Sequence, residues 1–273
     1  MDYRSILVHL DDHPSIVHVE LAASLATRHG AALTGAYLVP TRELTPFTSA
    51  VLPDSMVEHH LKDSGEAQAR AEARFRDVAA RHGFANAPFE APAGDAVDAG
   101  ALRARYADLV VAPQPRDAFE GDLVHAVLMQ SGRPVLLVPE SGATTLGERA
   151  LVAWKESRES ARAAADALPL LAHAKVVRVL SIGAANDAES AREVLADRDI
   201  AAWLAQHRIE ATVRHEVAED VDAGNFILSR AADFGADLIV MGAYSRPRLS
   251  EVVLGGVTRL MLQTMTVPVL MSH

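Results

Sequence analysis

The chain repeats itself, and this constrains its fold more than any other feature. Ile6-Leu-Val-His-Leu-Asp-Asp12 sits against Ala150-Leu-Val-Ala-Trp-Lys-Glu156. Ala107-Asp-Leu-Val-Val-Ala-Pro113 sits against Ala236-Asp-Leu-Ile-Val-Met-Gly242, and Arg133-Pro-Val-Leu-Leu-Val138 against Val267-Pro-Val-Leu-Met-Ser272. Single matches between apolar strands are common, whereas matches in the same order at the start, late middle and end of each half mark a duplicated unit. The reading is two homologous domains, 1–142 and 147–273, joined by the small polar linker Glu140-Ser-Gly-Ala-Thr-Thr-Leu-Gly147.

Within each half, short apolar runs alternate with longer helical patterns. In the second half Ala150–Trp154 is almost continuously apolar, as a strand covered on both faces should be. The spacing predicts helices over Ser160–Ala172, Ala188–His207, Ala223–Gly235 and Gly255–Met265. It predicts further strands over Val176–Ile182, Ala211–Val217, Leu238–Met241 and Val267–Met271. The first half follows the same plan, with one long helical stretch from Asp54 to His82. Repeated β-α units require a parallel sheet with helices on both faces, so the fold class is doubly wound α/β.

Composition narrows the function. The 273 residues are 49% hydrophobic, contain no cysteine, and carry a formal net charge of −10. Disulfides and thiolate metal sites are thereby excluded, and broad affinity for nucleic acid or an acidic membrane is disfavoured. No apolar run reaches the roughly 20 residues that span a bilayer, and the N-terminus lacks a signal-peptide pattern, so a cytoplasmic protein is expected. His9, His13 and His18 fall on strand, loop and helix, and no metal-binding histidine spacing appears. Asp11 and Asp12 read as solvated loop carboxylates. No sequence pattern names a nucleophile or a general base.

In a doubly wound sheet, ligands sit beyond the carboxyl ends of the strands, where the strand order reverses. That draws attention to Gly242–Leu262, which runs from the end of a strand into a helix, and to Trp154 and Lys155 after the first strand of the same half. Gly255 and Gly256 would let a phosphate approach the backbone closely. The helix from Val257 onward offers unpaired N–H groups and the positive end of its dipole. Arg246, Arg248 and Lys155 could add cationic contacts. In the first half Pro113 replaces Gly242 and has no N–H to give, while Glu120 and Asp122 flank Gly121. A phosphate site is not expected there. Leu44–Pro53 is apolar and turn-rich, and reads as a loop over the sheet.

The whole chain resembles a tandem universal stress protein of the UspA superfamily. The resemblance is carried by Val152-Ala-Trp-Lys-Glu-Ser-Arg-Glu159, by Gly235-Ala-Asp-Leu-Ile-Val-Met-Gly-Ala-Tyr244, and by Leu254-Gly-Gly-Val-Thr-Arg259 through Thr266-Val-Pro-Val-Leu-Met-Ser-His273. It implies a five-stranded parallel sheet of order 3-2-1-4-5 in each half. It further implies pairing of the last strands, Arg133–Val138 with Val267–Ser272, across a pseudo-two-fold axis. One chain would then stand in for a dimer, and a homodimer of whole chains is compatible with this.

ATP-binding members of the family carry G-x2-G-x9-G-[S/T] after the fourth strand. Gly242 matches its first glycine and Gly255 its third; Ser245 stands at the second glycine, Gly256 at the Ser/Thr position, and Thr258 two residues on. The aspartate that such members place after the first strand is Lys155 here. The resemblance therefore implies an adenine nucleotide such as ATP, with magnesium accompanying it, held by the second half in a regulatory stress-response protein with a protein partner. The alternative is a nucleotide-free scaffold or adaptor of the same fold.

Overall fold

The computed structural model describes residues 2–39, 54–92, 94–183, 198–217, 222–244 and 256–273. The expected loop at Leu44–Pro53 lies outside them, as do 188–197 of the helix expected from Ala188.

The strands of the first half are β1 (Ser5–Leu10), β2 (Ala32–Tyr37), β3 (Phe89–Glu90), β4 (Leu109–Pro113) and β5 (Val135–Val138). Those of the second are β6 (Arg149–Trp154), β7 (Val176–Gly183), β8 (Ala211–Val217), β9 (Leu238–Gly242) and β10 (Val269–Ser272). They form one sheet of order β3-β2-β1-β4-β5-β10-β9-β6-β7-β8. Each half thus shows the order 3-2-1-4-5, the second running back from the junction. Every neighbouring pair is parallel except β5 and β10, which pair antiparallel with Leu136 opposite Leu270. Both leucines are fully buried, so the seam between the halves is core rather than surface.

Helices α1 (Val17–His29), α2 (Asp54–Arg81), α5 (Arg158–Asp166), α6 (Leu168–Leu171) and α7 (198–206) cover one face. Helices α3 (Ala96–Ala104), α4 (Ala118–Gln130), α8 (Ala223–Phe234) and α9 (Gly256–Thr264) cover the other. Strand residues alternate between the two cores: Ala150 and Val152 join the first, Leu151 and Ala153 the second. That two-sided burial is why the strand sequences read as unbroken apolar runs. The helix expected over Ser160–Ala172 is divided. Pro169 has no N–H to continue the ladder, and the chain re-enters a short helix at Leu168. Helix α8 ends as expected on a glycine: Gly235 adopts φ 64° and donates to Ala231 O and Ala232 O.

The repeat extends to individual hydrogen bonds. The Asp108 carboxylate accepts from the N–H groups of Arg4 and Ser5, and the Asp237 carboxylate from those of Glu148 and Arg149. Gln114 N–H donates to Val138 O at 2.8 Å, and Ala243 N–H to Ser272 O at the same distance. Asp95 and Asp222 cap α3 and α8 through their side chains. Among the described residues no helix is long and apolar enough to cross a membrane.

Candidate functional site

The strand order reverses between β1 and β4 in the first half and between β6 and β9 in the second. The two places have become different. Beyond β6 and β9 lies a cleft of about 1250 Å³, open to solvent and lined by Trp154, Lys155, Asp222, Gly242, Tyr244 and Gly256, among others. Beyond β1 and β4 the spaces are about 280 and 330 Å³.

Six of the residues expected at a site line the large cleft: Trp154, Lys155, Gly242, Gly256, Val257 and Thr258. Ser245, Arg246, Arg248 and Gly255 lie outside the described residues. Lys155 is exposed at the rim. Trp154 is half-buried, and its Nε1 finds no hydrogen-bond partner among the described residues. A Cβ added at Gly256, the first residue of α9, would meet nothing within 4 Å. The backbone there carries no side chain toward the cleft, at the first described turn of α9.

Gly242 has a different reason to be glycine. A Cβ there would lie 2.6 Å from Ser160 N and 2.7 Å from the carbonyl carbon of Glu159. The link from β6 to α5 is only 155–157, so the start of α5 is drawn down onto the end of β9. Its neighbours are clamped as well. Ala243 donates to Ser272 O, and its carbonyl accepts from His273 Nδ1 at 3.0 Å. That bond fixes the imidazole tautomer and leaves Nε2 to accept from Arg158, at 2.9 Å. Tyr244 is held at φ 58°, a conformation that strains a non-glycine residue by about 1 kcal/mol. Its N–H donates to Thr258 Oγ1 at 3.3 Å, and its ring meets His125 of α4 edge-on, centroids 4.7 Å apart.

The sequence reading missed several members of this cleft: Asp222, whose Oδ1 is engaged in capping α8, and Tyr244, Ser160, Ile182 and Ile227. The positive φ at Tyr244 and the distant His125 left no local signal. Asp222 did leave one, as an acidic residue preceding a helical pattern.

In the first half the corresponding space is filled by side chains. Helix α4 begins at Ala118, five residues after β4 ends. The stretch that would be a phosphate loop is therefore helix, its N-terminus already satisfied by Asp117, which accepts from Glu120 N–H. Arg116 pairs with Glu120 at 2.5 Å and with Asp11. Asp12 pairs with Arg70. The first pairing corrects the reading of Asp11 as solvated, since its side chain is only 10% exposed, whereas Asp12 is exposed as expected. His9 Nε2 donates to Leu38 O and His18 Nε2 to His9 O. Burial pushes His18 down to about 4 and holds His9 below its ordinary value. Among the described residues no group of three or more His, Asp or Glu could hold a metal ion.

Comparison with known proteins agrees with this geometry. Residues 148–273 match the model of the universal stress protein family. No curated protein matches. Among solved structures, a universal stress protein from Archaeoglobus fulgidus DSM 4304 superposes with TM-score 0.72 at 19% identity, covering 98% of this chain and 95% of that one. A putative universal stress protein from Pseudomonas aeruginosa UCBPP-PA14 gives TM-score 0.62 at 17% identity, covering 99% and 93%. A functionally unknown protein from Pseudomonas aeruginosa PAO1 gives 0.58 at 15%, covering 99% and 92%. These likenesses establish a shared fold along the full chain. The second half, residues 148–273, is thus a universal stress protein domain, and the first half repeats its strand order and hydrogen bonds.

Proposed function

We propose that the protein binds ATP or a similar adenine nucleotide in the cleft of its second half, and acts as a cytoplasmic stress-response regulator rather than a dedicated catalyst. The observation that carries this is the contrast in space over equivalent strand ends, about 1250 Å³ in one half against 280 and 330 Å³ in the other. A cleft of that size, with a bare helix start at Gly256 and a cation at Lys155, suits a ligand with an anionic end. Trp154, Ile182, Ile227 and Met241 supply the apolar wall for a base. Lys155 sits where an acceptor for ribose would be expected and has none to offer; it serves the phosphates instead. Asp222 is the one described carboxylate in the cleft, and its Oδ1 caps a helix. A placed general base is therefore missing among the described lining residues, which favours binding over turnover. Magnesium would arrive with the nucleotide.

One observation favours the scaffold alternative. Gly242 is required by the packing of α5, so this glycine would be retained without a ligand. Calorimetry and thermal shift with ATP, ADP and AMP at millimolar concentration test the proposal, together with mass spectrometry of small molecules released on denaturation. Heat or stabilisation with any of the three supports nucleotide binding. Its absence with all three leaves the scaffold.

A further inference from the structure

We propose that His125, in the first half, is a positioning residue for the cleft of the second half; the link to ligand affinity rests on the nucleotide reading above. Three consecutive residues lead out of β9 along the cleft wall, and each is fixed by a different contact. Gly242 lies under the start of α5. Ala243 is tied to Ser272 through its N–H and to His273 through its carbonyl. Tyr244, 8% exposed, is held by Thr258 through its N–H and by His125 through its ring. Every one of these clamps comes from the second half except His125.

The ring contact is suited to orientation as well as packing. The interplanar angle is 82°, so the edge of one ring meets the face of the other, an arrangement aromatic pairs prefer over a face-to-face stack. It presses on a residue whose backbone, at φ 58°, is not in the region an unconstrained tyrosine adopts. A strained conformation persists only while its surroundings hold it. Without the imidazole, Tyr244 loses its clamp from the first half, and relaxation toward negative φ would shift the end of the cleft wall.

The halves exchange support in both directions, but only one exchange reaches an open cleft. The Gln114 side chain, in the loop after β4, donates to Leu262 O of α9. Tyr244, in the loop after β9, meets α4. The β5–β10 seam sets this reciprocity, because antiparallel pairing at the centre puts each last helix beside the other half's loop. At the position matching Tyr244 the first half has Pro115, two residues past the end of β4 as Tyr244 is past the end of β9. Its ring fixes φ near −65°, so this loop has no left-handed residue to hold there. A half whose own site is filled thus contributes a group to the half whose site is open.

The test uses the full chain with His125→Ala and His125→Phe. Amide hydrogen exchange needs no ligand: the Tyr244 and Ala243 amides should exchange at least tenfold faster in the alanine variant and return close to wild type with phenylalanine, while core amides such as Val240 and Val110 stay protected. ATP, as the probe in calorimetry, should bind about tenfold more weakly to the alanine variant and near normally to the phenylalanine variant. Unchanged exchange at Tyr244 in His125→Ala overturns the proposal. So does exchange that quickens equally across the whole sheet, which would mean a general packing role. If wild-type protein binds no ATP, the nucleotide reading fails and exchange at Tyr244 alone decides the positioning role.

Discussion

The two halves began from one plan and differ in what stands beyond their switch points. In the first, Arg116 bridges Asp11 and Glu120, α4 starts five residues after β4, and buried His9 and His18 fill the space behind. In the second, the cleft is left open with Lys155 at its rim. The difference teaches that the space over a switch point can be filled by the protein's own side chains without loss of the fold. An internal cation on Asp11 neutralises the carboxylate, and an early helix start removes the loop. The fold tolerates both because the sheet and its two cores lie beneath the strand ends and do not depend on them.

The largest difference between the halves is expected from a matched pair of substitutions. Gly256→Asp places a carboxylate at the open helix start, where a Cβ meets nothing. ATP binding should fall more than a hundredfold by calorimetry, with an unchanged circular dichroism spectrum. Gly121→Asp is equally free of clashes in the first half and should leave binding unaltered. Equal losses from the two would mean that the first half is also a site.

Next in size is Gly242→Ala. The added methyl meets backbone of α5 rather than a movable side chain tip, so a loss of about 3 kcal/mol is expected in urea unfolding. The matching position in the first half already carries a larger residue, Pro113, because α1 begins farther from its strand.

Acid should separate the halves further. Burial lowers His18 to about 4 and also lowers His9 and His29, all in the first half. No described histidine of the second half is fully buried. An unfolded histidine takes its proton near pH 6.5, whereas folded His18 refuses it until about 4. Stability is therefore present above pH 6.5 and falls as the pH drops, by about 2 kcal/mol between 6.5 and 4.5 from this group alone. Urea midpoints across that range should fall for wild type, and His18→Gln should flatten the slope.

The smallest effect expected is that of Arg116→Met. It leaves Asp11 and Glu120 facing each other with 10% and 14% side-chain exposure, and a loss of about 1–2 kcal/mol follows, reduced by water reaching the pair. Thermal melts at low and high salt check this, with the deficit shrinking as salt screens the repulsion.

Much of the molecule was legible in its sequence, for reasons that are local. Ala150–Trp154 and Leu238–Met241 are apolar on both faces because both faces are covered. Gly235 ends α8 because its C-cap is left-handed. The ordered repeats announced two equivalent halves, and Asp108 and Asp237 prove to make the same bonds in each. The motif spacing after β9 led to Gly256 and Thr258, and the switch-point rule to Trp154 and Lys155, and the four do meet around one cleft.

What the sequence could not decide depends on atoms brought together from afar. A glycine at 242 reads the same whether it frees a dihedral angle, admits a phosphate or clears the way for a helix; only the 2.6 Å approach of Ser160 N selects the last. Asp11 and Arg116 are 105 residues apart, so nothing near either one shows that the first site is closed by an ion pair. His125 and Tyr244 meet only because β5 and β10 run antiparallel at the seam. Local pattern determines which elements form and in what order, since propensity and burial act over a few residues. Which strand ends stay open is set by side chains that the finished sheet brings into contact, and that information exists only once the tertiary structure has formed.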